Sequence, residues 1–448
     1  MKKIKLMVVL AGCAMPCLAL ATNGMNMEGY GPVALGMGGA AMAYDNGTAA
    51  MMNNPATLGL MPDGHRLDLA LGFLGPDVNA AMGGMSSHSS ADAFGGPAFG
   101  WSRRHDKLTF GVGVFGQGGM GAEYGGNSFM SMGTGLTTRS ELGVGRLLFP
   151  LAYNVSPDLT VGGTLDFVWA GLDLQMAMRM DQMAPMMAPG GGNFGAISGS
   201  LAGALGGMGL AGSDVGYFNF SNGNPYSGRA HATGYAGKLG FVYKVNPALS
   251  VGGTYHSETA LDDLEANGAE MRIVRPGVGN LGAPLSGKLT VKNFQWPETI
   301  VVGLAYQANP LLMVVADYKR INWARSMKDF RMSFVDGASG ANLDVTLYQN
   351  WKNQDVWMAG LSYQSSDALT LRAGVNLANN PVPDYYAHPL FPATIRSHVM
   401  AGFGYRFSKA SSIDFAYSYA PEVSVTNGSG TSISHNQNNM QFIYSYVY

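Results

Sequence analysis

The feature that most limits how this chain can fold is a repeated alternation of apolar and polar residues. In the segment 159–177, Leu159, Val161 and Leu165 occupy alternate positions, and Thr160 lies on the opposite face. Because successive side chains of a β-strand point to opposite sides, this period of two predicts a strand with one apolar face. Fourteen such segments occur, at 66–79, 95–103, 107–117, 140–154, 159–177, 231–244, 249–258, 288–308, 311–326, 352–364, 368–377, 396–407, 411–420 and 439–448.

The connections between these segments indicate how the strands are joined, because short turns alternate with long loops throughout. The short turns cover 104–106, 156–158, 246–248, 309–310, 365–367 and 409–410. The long loops cover 80–94, 118–139, 178–230, 259–287, 327–351, 378–395 and 421–438. This alternation is typical of outer-membrane barrels, and an even number of strands returns both chain ends to the same side.

The composition favours a membrane protein over a soluble β-sandwich, which would also show a period of two with one apolar face. Only 12% of the 448 residues are charged and 47% are hydrophobic, whereas a typical soluble domain has about 25% charged residues. No run of about 20 apolar residues follows the N-terminal region, so no membrane helix is predicted. We therefore predict an all-β membrane protein, a 14-stranded antiparallel transmembrane β-barrel over residues 62–448.

Residues 1–21 have the features of a secretory signal peptide. A basic start is followed by the apolar run from Leu6 to Leu20 and by the small-x-small pattern that ends at Ala21. Both cysteines of the chain, Cys13 and Cys17, lie in this segment, so the mature chain is predicted to contain no thiol. An alternative is lipoprotein processing at Cys13, which would leave a very short apolar region before the cleavage site.

Residues 22–61, called the hatch below, differ from the rest because they show no period of two. The stretch is rich in Gly, Ala and Met, so its backbone can pack closely against other backbone. Asn54 precedes Pro55, and a residue before proline avoids the helical region, so a helix is predicted to be interrupted there. We predict a small plug of short helices and turns that lies inside the barrel.

The last predicted strand is strongly aromatic on one face. Phe442, Tyr444, Tyr446 and Tyr448 alternate to the end of the printed sequence. An aromatic terminal strand suits the edge that closes an outer-membrane barrel against its first strand.

No pattern of an enzyme or of a nucleic-acid-binding protein is present. The eight histidines are scattered and no Gly-x-Ser-x-Gly occurs, so neither a zinc protease nor a lipase is indicated. The formal net charge is −2 without a basic run, which argues against a nucleic-acid partner. We predict no enzyme activity, no cofactor and no metal site.

The long loop 178–230 begins with an unusual concentration of methionine. Met183, Met186 and Met187 lie in a run that starts at Met176. Flexible, polarizable thioethers suit a surface that binds varied apolar ligands, which is the interpretation we prefer. Capture of copper(I) by the same sulfur atoms is the alternative.

Several fragments, in a fixed order, carry a family resemblance. A run of small residues from Gly36 to Ala43 is followed by Asp45 and by Asn54-Pro55-Ala56. Further fragments are Pro76-Asp77-Val78-Asn79, Trp296-Pro297-Glu298, Trp323, Asn380-Pro381-Val382-Pro383 and Leu390-Phe391-Pro392. On these residues the chain resembles the FadL/TodX family of outer-membrane transporters, which take up long-chain fatty acids and aromatic hydrocarbons. It departs from the family in its Met-rich loop and in its terminal tyrosine.

The resemblance implies a barrel with an N-terminal hatch, an apolar groove among the outer loops and a tighter pocket in the lumen. It also implies that the third strand kinks inward and opens a lateral gap in the wall. The implied pocket residues are Asn54, Pro55, Ala56, Phe115, Gly116, Gly118, Gly119 and Met120. The implied groove residues are Met183, Met186, Met187, Phe194, Leu205 and Leu210.

The expected function is passive uptake of a hydrophobic small molecule across the bacterial outer membrane. The expected partners are the ligand, outer-membrane lipid and lipopolysaccharide, with the protein acting as a monomer. Lumen charges such as Asp166, Lys238, Asp317 and Arg372 are expected to line the interior, and one or two cations could hold a substrate carboxylate. The alternatives are a general porin for small polar solutes and a structural or adhesive surface protein.

Overall fold

A computed structural model of the protein describes residues 23–224 and 228–448. The predicted signal peptide, with its two cleavage alternatives at Ala21 and Cys13, lies outside the described residues, as does Thr22.

One antiparallel sheet contains all the strands of the described residues. They are β1 (Gly64–Met82), β2 (Met85–His88), β3 (Phe94–His105), β4 (Leu108–Tyr124), β5 (Thr138–Asn154), β6 (Leu159–Arg179), β7 (Gly195–Ser198), β8 (Val215–Asn219), β9 (Ala230–Lys244), β10 (Leu249–His256), β11 (Ala260–Leu261), β12 (Leu264–Arg275), β13 (Gly279–Asn280), β14 (Leu285–Lys292), β15 (Thr299–Asn309), β16 (Leu312–Ile321), β17 (Asp329–Asp336), β18 (Asn342–Tyr348), β19 (Gln354–Gln364), β20 (Leu369–Ala378), β21 (Ser397–Arg406), β22 (Ser411–Thr426) and β23 (Ser432–Val447).

The sheet closes into a barrel because β23 pairs with β1 over sixteen residues, from Arg66 opposite Val447 to Ala81 opposite Ser432. The aromatic residues of β23 therefore lie in the closing strand, as the alternation to Tyr448 predicted. One end of the barrel carries the short turns and is called the turn end. The other carries the long connections and is called the loop end.

The predicted count of fourteen strands is wrong, because the closed antiparallel barrel contains sixteen strands. Towards the turn end, β6 pairs directly with β9, from Leu159 to Leu172. Beyond that, β8 pairs with the end of β6, β12 pairs with β8, and β12 meets β9 where Glu265 lies opposite His231. These two additional strands come from segments that were predicted as loops, 178–230 and 259–287.

Several predicted strands also have different bounds in the structure. β4 continues to Tyr124, and β22 and β23 extend to Thr426 and from Ser432, inside the predicted loops 118–139 and 421–438. The segment 288–308 is divided into β14 and β15, because Asn293 has a left-handed φ of 55° and Pro297 cannot donate a backbone hydrogen bond. The segment 311–326 ends as a strand at Ile321 and continues as the short helix α4.

The predicted loops at the loop end form a further part of the sheet. From β12 the pairing continues through β14, β17 and β18 to β7. This extension, called the flap, joins residues from three long connections. It belongs to the loop end and lies beyond the closed ring.

Helices are few and short among the described residues. They are the α-helices α1 (Pro32–Leu35), α2 (Met180–Met187), α3 (Ser200–Gly207) and α4 (Trp323–Ser326), with 3₁₀ helices over Gly47–Met51, Pro55–Leu60, Phe129–Ser131 and Asp384–Tyr386. Within the part of the chain that the structure describes, no helix has the length and apolar character needed to cross a membrane.

The side chains of the strands follow the alternation found in the sequence. Leu165 and Leu239 are 75% and 69% exposed on the outside of the barrel. Their neighbours Asp166 and Lys238 point into the lumen and are 1% exposed each. An apolar exterior around a polar and filled interior is the arrangement that a membrane environment stabilises.

The hatch fills the interior of this barrel. Every one of its described residues, 23–61, is buried or partly buried. It consists of α1 and two 3₁₀ helices joined by turns, and Asn54 caps the second 3₁₀ helix by accepting a hydrogen bond from Ala56 N at 3.1 Å. Pro55 at the first helical position needs no hydrogen-bond partner for its nitrogen, which explains why the helix begins there.

Candidate functional site

The hatch is fixed to the wall of the barrel by hydrogen bonds to its backbone. Asp317 Oδ2, on β16, accepts from the backbone N–H groups of Ala41 at 2.6 Å and Met42 at 3.1 Å. Asp68 Oδ2, on β1, accepts from Thr48 N at 2.8 Å. These wall carboxylates supply acceptors for hatch N–H groups that its short helices leave unpaired.

Asn54 links three parts of the structure through one side chain. Its Nδ2 donates to Met42 O within the hatch at 2.8 Å and to Phe241 O of β9 at 2.9 Å. Its Oδ1 caps Ala56 N, so all the main hydrogen-bonding groups of the amide are used. Asn54 therefore has a positioning role that holds the hatch against β9.

The wall approaches the hatch most closely at glycines that face the lumen. A Cβ atom on Gly374 would overlap the backbone nitrogen of Gly38, and one on Gly360 would overlap the carbonyl oxygen of Met37. The same holds, with other hatch atoms, for Gly100, Gly113, Gly118, Gly162, Gly240 and Gly252. The hatch thus packs its backbone, or in the case of Gly100, Gly113 and Gly240 a side chain, directly against the wall backbone, which only glycine permits.

We expect substitution of Asp317 by Ala to release this part of the hatch. Two buried N–H groups, of Ala41 and Met42, lose their acceptor, which should weaken the docked hatch by about 2–4 kcal/mol. Conductance in planar bilayers should rise, while the barrel stays heat-modifiable in gels. The control is Asp317→Asn, which retains an acceptor oxygen and should behave as the wild type. Equal conductance of the Ala variant and the wild type would contradict this role.

The wall is open on one side of the hatch, between β3 and β4. The two strands pair only from His105 opposite Leu108 to Phe99 opposite Val114. Beyond that, β3 stays with β1 and β4 stays with β5, so the remaining halves of the strands are not joined. In β4 the register shifts between Gly116 and Gly118, and this bulge bends the strand.

A small cavity and an outer groove lie on the two sides of this gap. The cavity, about 50 Å³, is lined by the hatch at Met27 and Tyr30 and by the wall at Phe115 and Gly116. The groove, about 390 Å³, lies on the lipid-facing surface and is lined by residues that include Phe99, Val114 and Phe442. Both are lined by Ala70, Leu71, Pro97 and Ala98. The wall between lumen and lipid is therefore only one side chain thick here.

A second apolar cavity lies where the hatch meets residues of the loop end. It measures about 20 Å³ and is lined by Met25, Met120, Leu142, Leu172, Phe294, Met327, Phe330, Gln349 and Phe391. This methionine cavity is much smaller than the roughly 150 Å³ that holds a benzene-sized molecule. Unbranched methionine side chains can shift to enlarge it.

A polar junction separates the two apolar cavities. Asn26 Oδ1 accepts from Gln117 Nε2 and from Trp296 Nε1, each at 2.8 Å. Tyr30 donates its O–H to Gln117 O at 2.7 Å. Burial raises the pKa of the Tyr30 phenol, so it stays neutral and keeps its proton for this bond. The junction joins the start of the hatch to the bulge of β4.

Most lumen cations are already paired. Asp166 binds Lys238 and Arg146, the latter at 2.7 Å, and all three are buried. Arg372 binds Asp414 at 2.7 Å. Among the described residues, no carboxylate oxygen lies within 4.0 Å of the Lys319 ammonium, which lines a separate polar cavity of about 20 Å³.

The remaining charged strand residues lie elsewhere. Lys288 and Lys292, on β14 of the flap, are about half exposed and bind Glu265 and Asp344. Asp173 is buried near the loop end and accepts from Arg229 N at 2.6 Å. Lys288 and Lys292 therefore do not line the lumen beside the hatch.

The predicted pocket residues are not all together. Phe115 and Gly116 line the hatch–wall cavity, and Met120 lines the methionine cavity. Gly118 and Gly119 pack on the hatch, where Gly119 N donates to Met25 O at 2.9 Å. Asn54, Pro55 and Ala56 line neither apolar cavity and instead contact β6 and β9, with Ala56 against Gly162.

The predicted groove residues of the Met-rich loop are mostly buried. Met183, Met186 and Leu205 are 1%, 3% and 6% exposed, and Met187 and Leu210 are partly buried against the same core. Phe194 is exposed and stacks on Tyr385 with the ring centroids 5.1 Å apart. The methionines therefore fill the space beneath α2, and Phe194 joins this loop to the loop 378–395.

A tryptophan cluster beside the hatch was not singled out as a site from the sequence. Trp323 packs edge-on against Trp296 at 5.6 Å and against Trp351 at 5.2 Å between ring centroids. Trp323 also contacts the hatch backbone at Gly24. The available signal was the position of Trp323 and Trp351 near the loop-end limits of predicted strands, where aromatic residues at the membrane interface are ordinarily expected instead.

Two curated relatives match parts of the chain. It is 27% identical over 199 residues to a putative outer membrane protein of Neisseria meningitidis serogroup B, covering 42% of this chain and 42% of that protein. It is 47% identical over 74 residues to an uncharacterized protein encoded upstream of a phosphoenolpyruvate carboxykinase gene in Chlorobium limicola, covering 16% of this chain and 36% of that protein. The match thus spans less than half the length of each relative.

Solved structures match nearly the whole chain. The toluene transporter TodX of Pseudomonas putida is 32% identical, with a TM-score of 0.85 over 94% of this chain and 99% of that chain. The toluene transporter TbuX of Ralstonia pickettii is 33% identical, with a TM-score of 0.78 over 94% and 99%. A FadL homologue of Pseudomonas aeruginosa shares the fold at 16% identity and a TM-score of 0.72, over 94% and 99%.

The family assignment rests on the length of a sequence match together with these structures. Residues 9–445 match the family described as "Outer membrane protein transport protein (OMPP1/FadL/TodX)". The match includes the hatch, the β4 bulge and the closing strand. The chain therefore belongs to this family: it is a transport protein of the bacterial outer membrane and not an enzyme.

Proposed function

We propose that this protein takes up small uncharged hydrocarbons passively and releases them sideways through the gap between β3 and β4. The observation that carries the proposal is a series of three separate apolar surfaces around the hatch. The methionine cavity lies towards the loop end, the hatch–wall cavity lies behind the gap, and the groove lies on the lipid side. Apolar burial alone supplies the affinity, so no energy source is required.

The proposed path is blocked by side chains at two points in this structure. A ligand that enters from the loop end first displaces the methionine side chains of Met25, Met120 and Met327. It then passes the polar junction at Gln117, which requires a shift of the hatch. From the hatch–wall cavity it leaves between β3 and β4 beside Ala98. Asn54, through its bonds to Met42 and Phe241, would fix the side of the hatch that does not move.

The lining of the two cavities favours an uncharged ligand. Neither cavity is lined by a charged side chain, and the polar groups present are those of Tyr30, Gln441 and Gln349. A carboxylate there would be desolvated without a cation, which is costly. TodX and TbuX are named as toluene transporters, and a compound of that kind fits these requirements.

A second candidate ligand is a long-chain fatty acid, as the family resemblance implied. Lys319 favours it, because this cation has no carboxylate within 4.0 Å among the described residues and lines a cavity next to the hatch. The carboxylate would bind at Lys319 and the chain would extend towards the apolar cavities. Uptake of a fatty acid would require Lys319, whereas uptake of an uncharged hydrocarbon would not.

Uptake measurements with this protein in a deletion strain distinguish the candidates. We expect saturable uptake of radiolabelled toluene, and tighter binding of ethylbenzene by roughly fourfold, because one buried methylene contributes about 0.8 kcal/mol. Lys319→Met should leave toluene uptake unchanged. Uptake of oleate that depends on Lys319, without toluene uptake, would overturn the hydrocarbon proposal in favour of the fatty acid.

A general porin requires an open lumen, and the hatch occupies this one. Steady large conductance of the wild type in planar bilayers would therefore contradict the proposal. Deletion without any uptake phenotype would favour the structural or adhesive alternative. Contacts with lipopolysaccharide and a monomeric state stay predictions.

A further inference from the structure

An exposed arginine lies on the same strand face as the lipid-side groove, nearer the turn end. Phe99 of β3 lines the groove and pairs with Leu69 of β1. Four residues further along β3, Arg103 pairs with His65. Because side chains four positions apart share one face of a strand, Arg103 lies on the lipid side of the barrel, as Phe99 does.

Aromatic rings place Arg103 at the level of the lipid headgroups. Trp101, on the same face, lies 5.8 Å from His65 and 6.0 Å from Phe110 between ring centroids. His65 stacks on Tyr448 at 4.9 Å. Aromatic residues of this kind collect where the hydrocarbon meets the headgroups. The turn end of an outer-membrane barrel is its periplasmic end, so these headgroups belong to the inner leaflet.

The charge of Arg103 is available to a group from outside the protein. Arg103 is exposed, and no carboxylate of the described residues lies within 4.0 Å of it. The neighbouring Arg104 is held by the protein instead, through Asp63 at 3.4 Å and the carbonyl oxygen of Asp106 at 3.0 Å. A guanidinium binds two phosphate oxygens at once, which makes Arg103 suited to a phospholipid headgroup.

The groove lies within reach of the acyl chain of such a lipid. Four residues of β3 separate Arg103 from Phe99, which corresponds to about 13 Å along the strand. Half of the hydrocarbon core of a bilayer measures about 15 Å. A lipid with its phosphate at Arg103 can therefore place a chain in the groove, which measures about 390 Å³ and has an apolar lining that includes Leu69, Leu71 and Val114.

We propose that Arg103 and the lipid-side groove together bind one anionic phospholipid of the inner leaflet. Its phosphate lies on Arg103 and one acyl chain fills the groove, so the chain covers the gap between β3 and β4 from the lipid side. A compound released sideways would displace this chain. That last step rests on the proposed function, whereas the binding site does not, so lipid binding and uptake are tested separately.

Native mass spectrometry of the detergent-purified protein, titrated with dioleoylphosphatidylglycerol, tests the headgroup contact. We expect one lipid to bind more tightly than the others. Arg103→Gln should weaken its binding roughly fivefold, since one cation near an anionic lipid surface contributes about that factor. The control is Lys409→Gln, an exposed cation at the turn end between β21 and β22, away from the groove, which should bind as the wild type does. Equal binding by Arg103→Gln and the wild type would overturn the proposal.

A second pair of variants tests the groove while Arg103 stays in place. Val114→Trp fills the groove, and Val302→Trp adds the same side chain to the lipid-facing side of β15, where Val302 is 50% exposed. Val114→Trp should weaken lipid binding roughly tenfold or more, because each methylene excluded from the groove removes a factor of about four. Val302→Trp should bind normally, and both variants should keep heat-modifiable mobility. Unchanged binding by Val114→Trp would show that no chain occupies the groove and would also overturn the proposal.

Discussion

Tying the hatch to the wall with a disulfide should stop uptake reversibly. The ideal Cβ position of Gly36, at the end of α1, lies 3.3 Å from Cβ of Arg372 on β20. This is close to the separation of about 3.5–4.5 Å that a disulfide needs. Gly36 has helical φ and ψ of −61° and −14°, so a cysteine can occupy it without strain. No other cysteine follows Cys17, so the pair would be the only two cysteines among the described residues.

The expected loss of uptake follows from the position of the hatch in the proposed path. If the hatch must shift to open the polar junction at Gln117, the oxidised Gly36→Cys/Arg372→Cys variant should lose uptake by roughly tenfold or more, as expected for a locked gate. A reductant should restore the rate in the same preparation. Toluene uptake into cells, before and after reduction, is the measurement.

Single variants control for the loss of the Arg372–Asp414 ion pair. Gly36→Cys alone and Arg372→Cys alone should transport in both redox states. If the disulfide is formed, as shown by gel mobility, and uptake is unchanged, the ligand passes without movement of this part of the hatch.

Closing the lateral gap should have a comparably large effect. Ala98 lines both the hatch–wall cavity and the lipid-side groove, next to the unpaired half of β4. An indole at this position would fill the cavity of about 50 Å³ and block the opening. We expect Ala98→Trp to reduce uptake roughly tenfold or more, because the apolar exit is removed.

The matched control is Ala359→Trp on β19, an exposed position on the outside of the barrel beside Trp357. It adds the same side chain to the wall without touching either cavity and should transport normally. Both variants should keep the heat-modifiable mobility of the wild type. Normal uptake by Ala98→Trp would show that the exit lies elsewhere, for example at the turn end beneath the hatch.

The barrel could be predicted from the sequence because each long strand has one face towards lipid and the other towards the polar lumen. Leu165 beside Asp166 and Leu239 beside Lys238 show this contrast directly, with one residue outside and the next buried in the lumen. The strand count was wrong because β12 and β8 lie in long connections. In β12 the alternation of Leu264, Ala266 and Met271 with charged residues was present, but Gly268 shifts the register and interrupts it.

The candidate site could be predicted only in part. The family resemblance implied the kink of β4, and the glycines at Gly116 and Gly118 are compatible with the bulge found there. The gap itself depends on where the β3–β4 ladder ends, and neither strand shows that by its own pattern. Asn54 was recognised by a local motif, which fixes its capping of Ala56 but not the side of the lumen it faces.

The methionines of the loop 178–230 show a different limit of prediction from sequence. A run such as that around Met183 has the same composition whether it covers a surface or fills an interior, because methionine suits both. The structure buries Met183 and Met186 on the inner face of α2 and leaves Phe194 exposed. The outcome depends on β7 and β18 of the flap, whose pairing joins segments about 150 residues apart.

The lumen glycines have a consequence for how such proteins diverge. The wall has recesses that match the shape of this hatch, so the hatch fits in only one rotational orientation. These recesses lie at Gly100, Gly162, Gly252, Gly360 and Gly374. The hatch of another family member would meet side chains where it needs recesses. Chimeras that exchange the hatch should therefore assemble only when the matching wall glycines are exchanged with it. The hatch and the lumen wall must then change together during divergence.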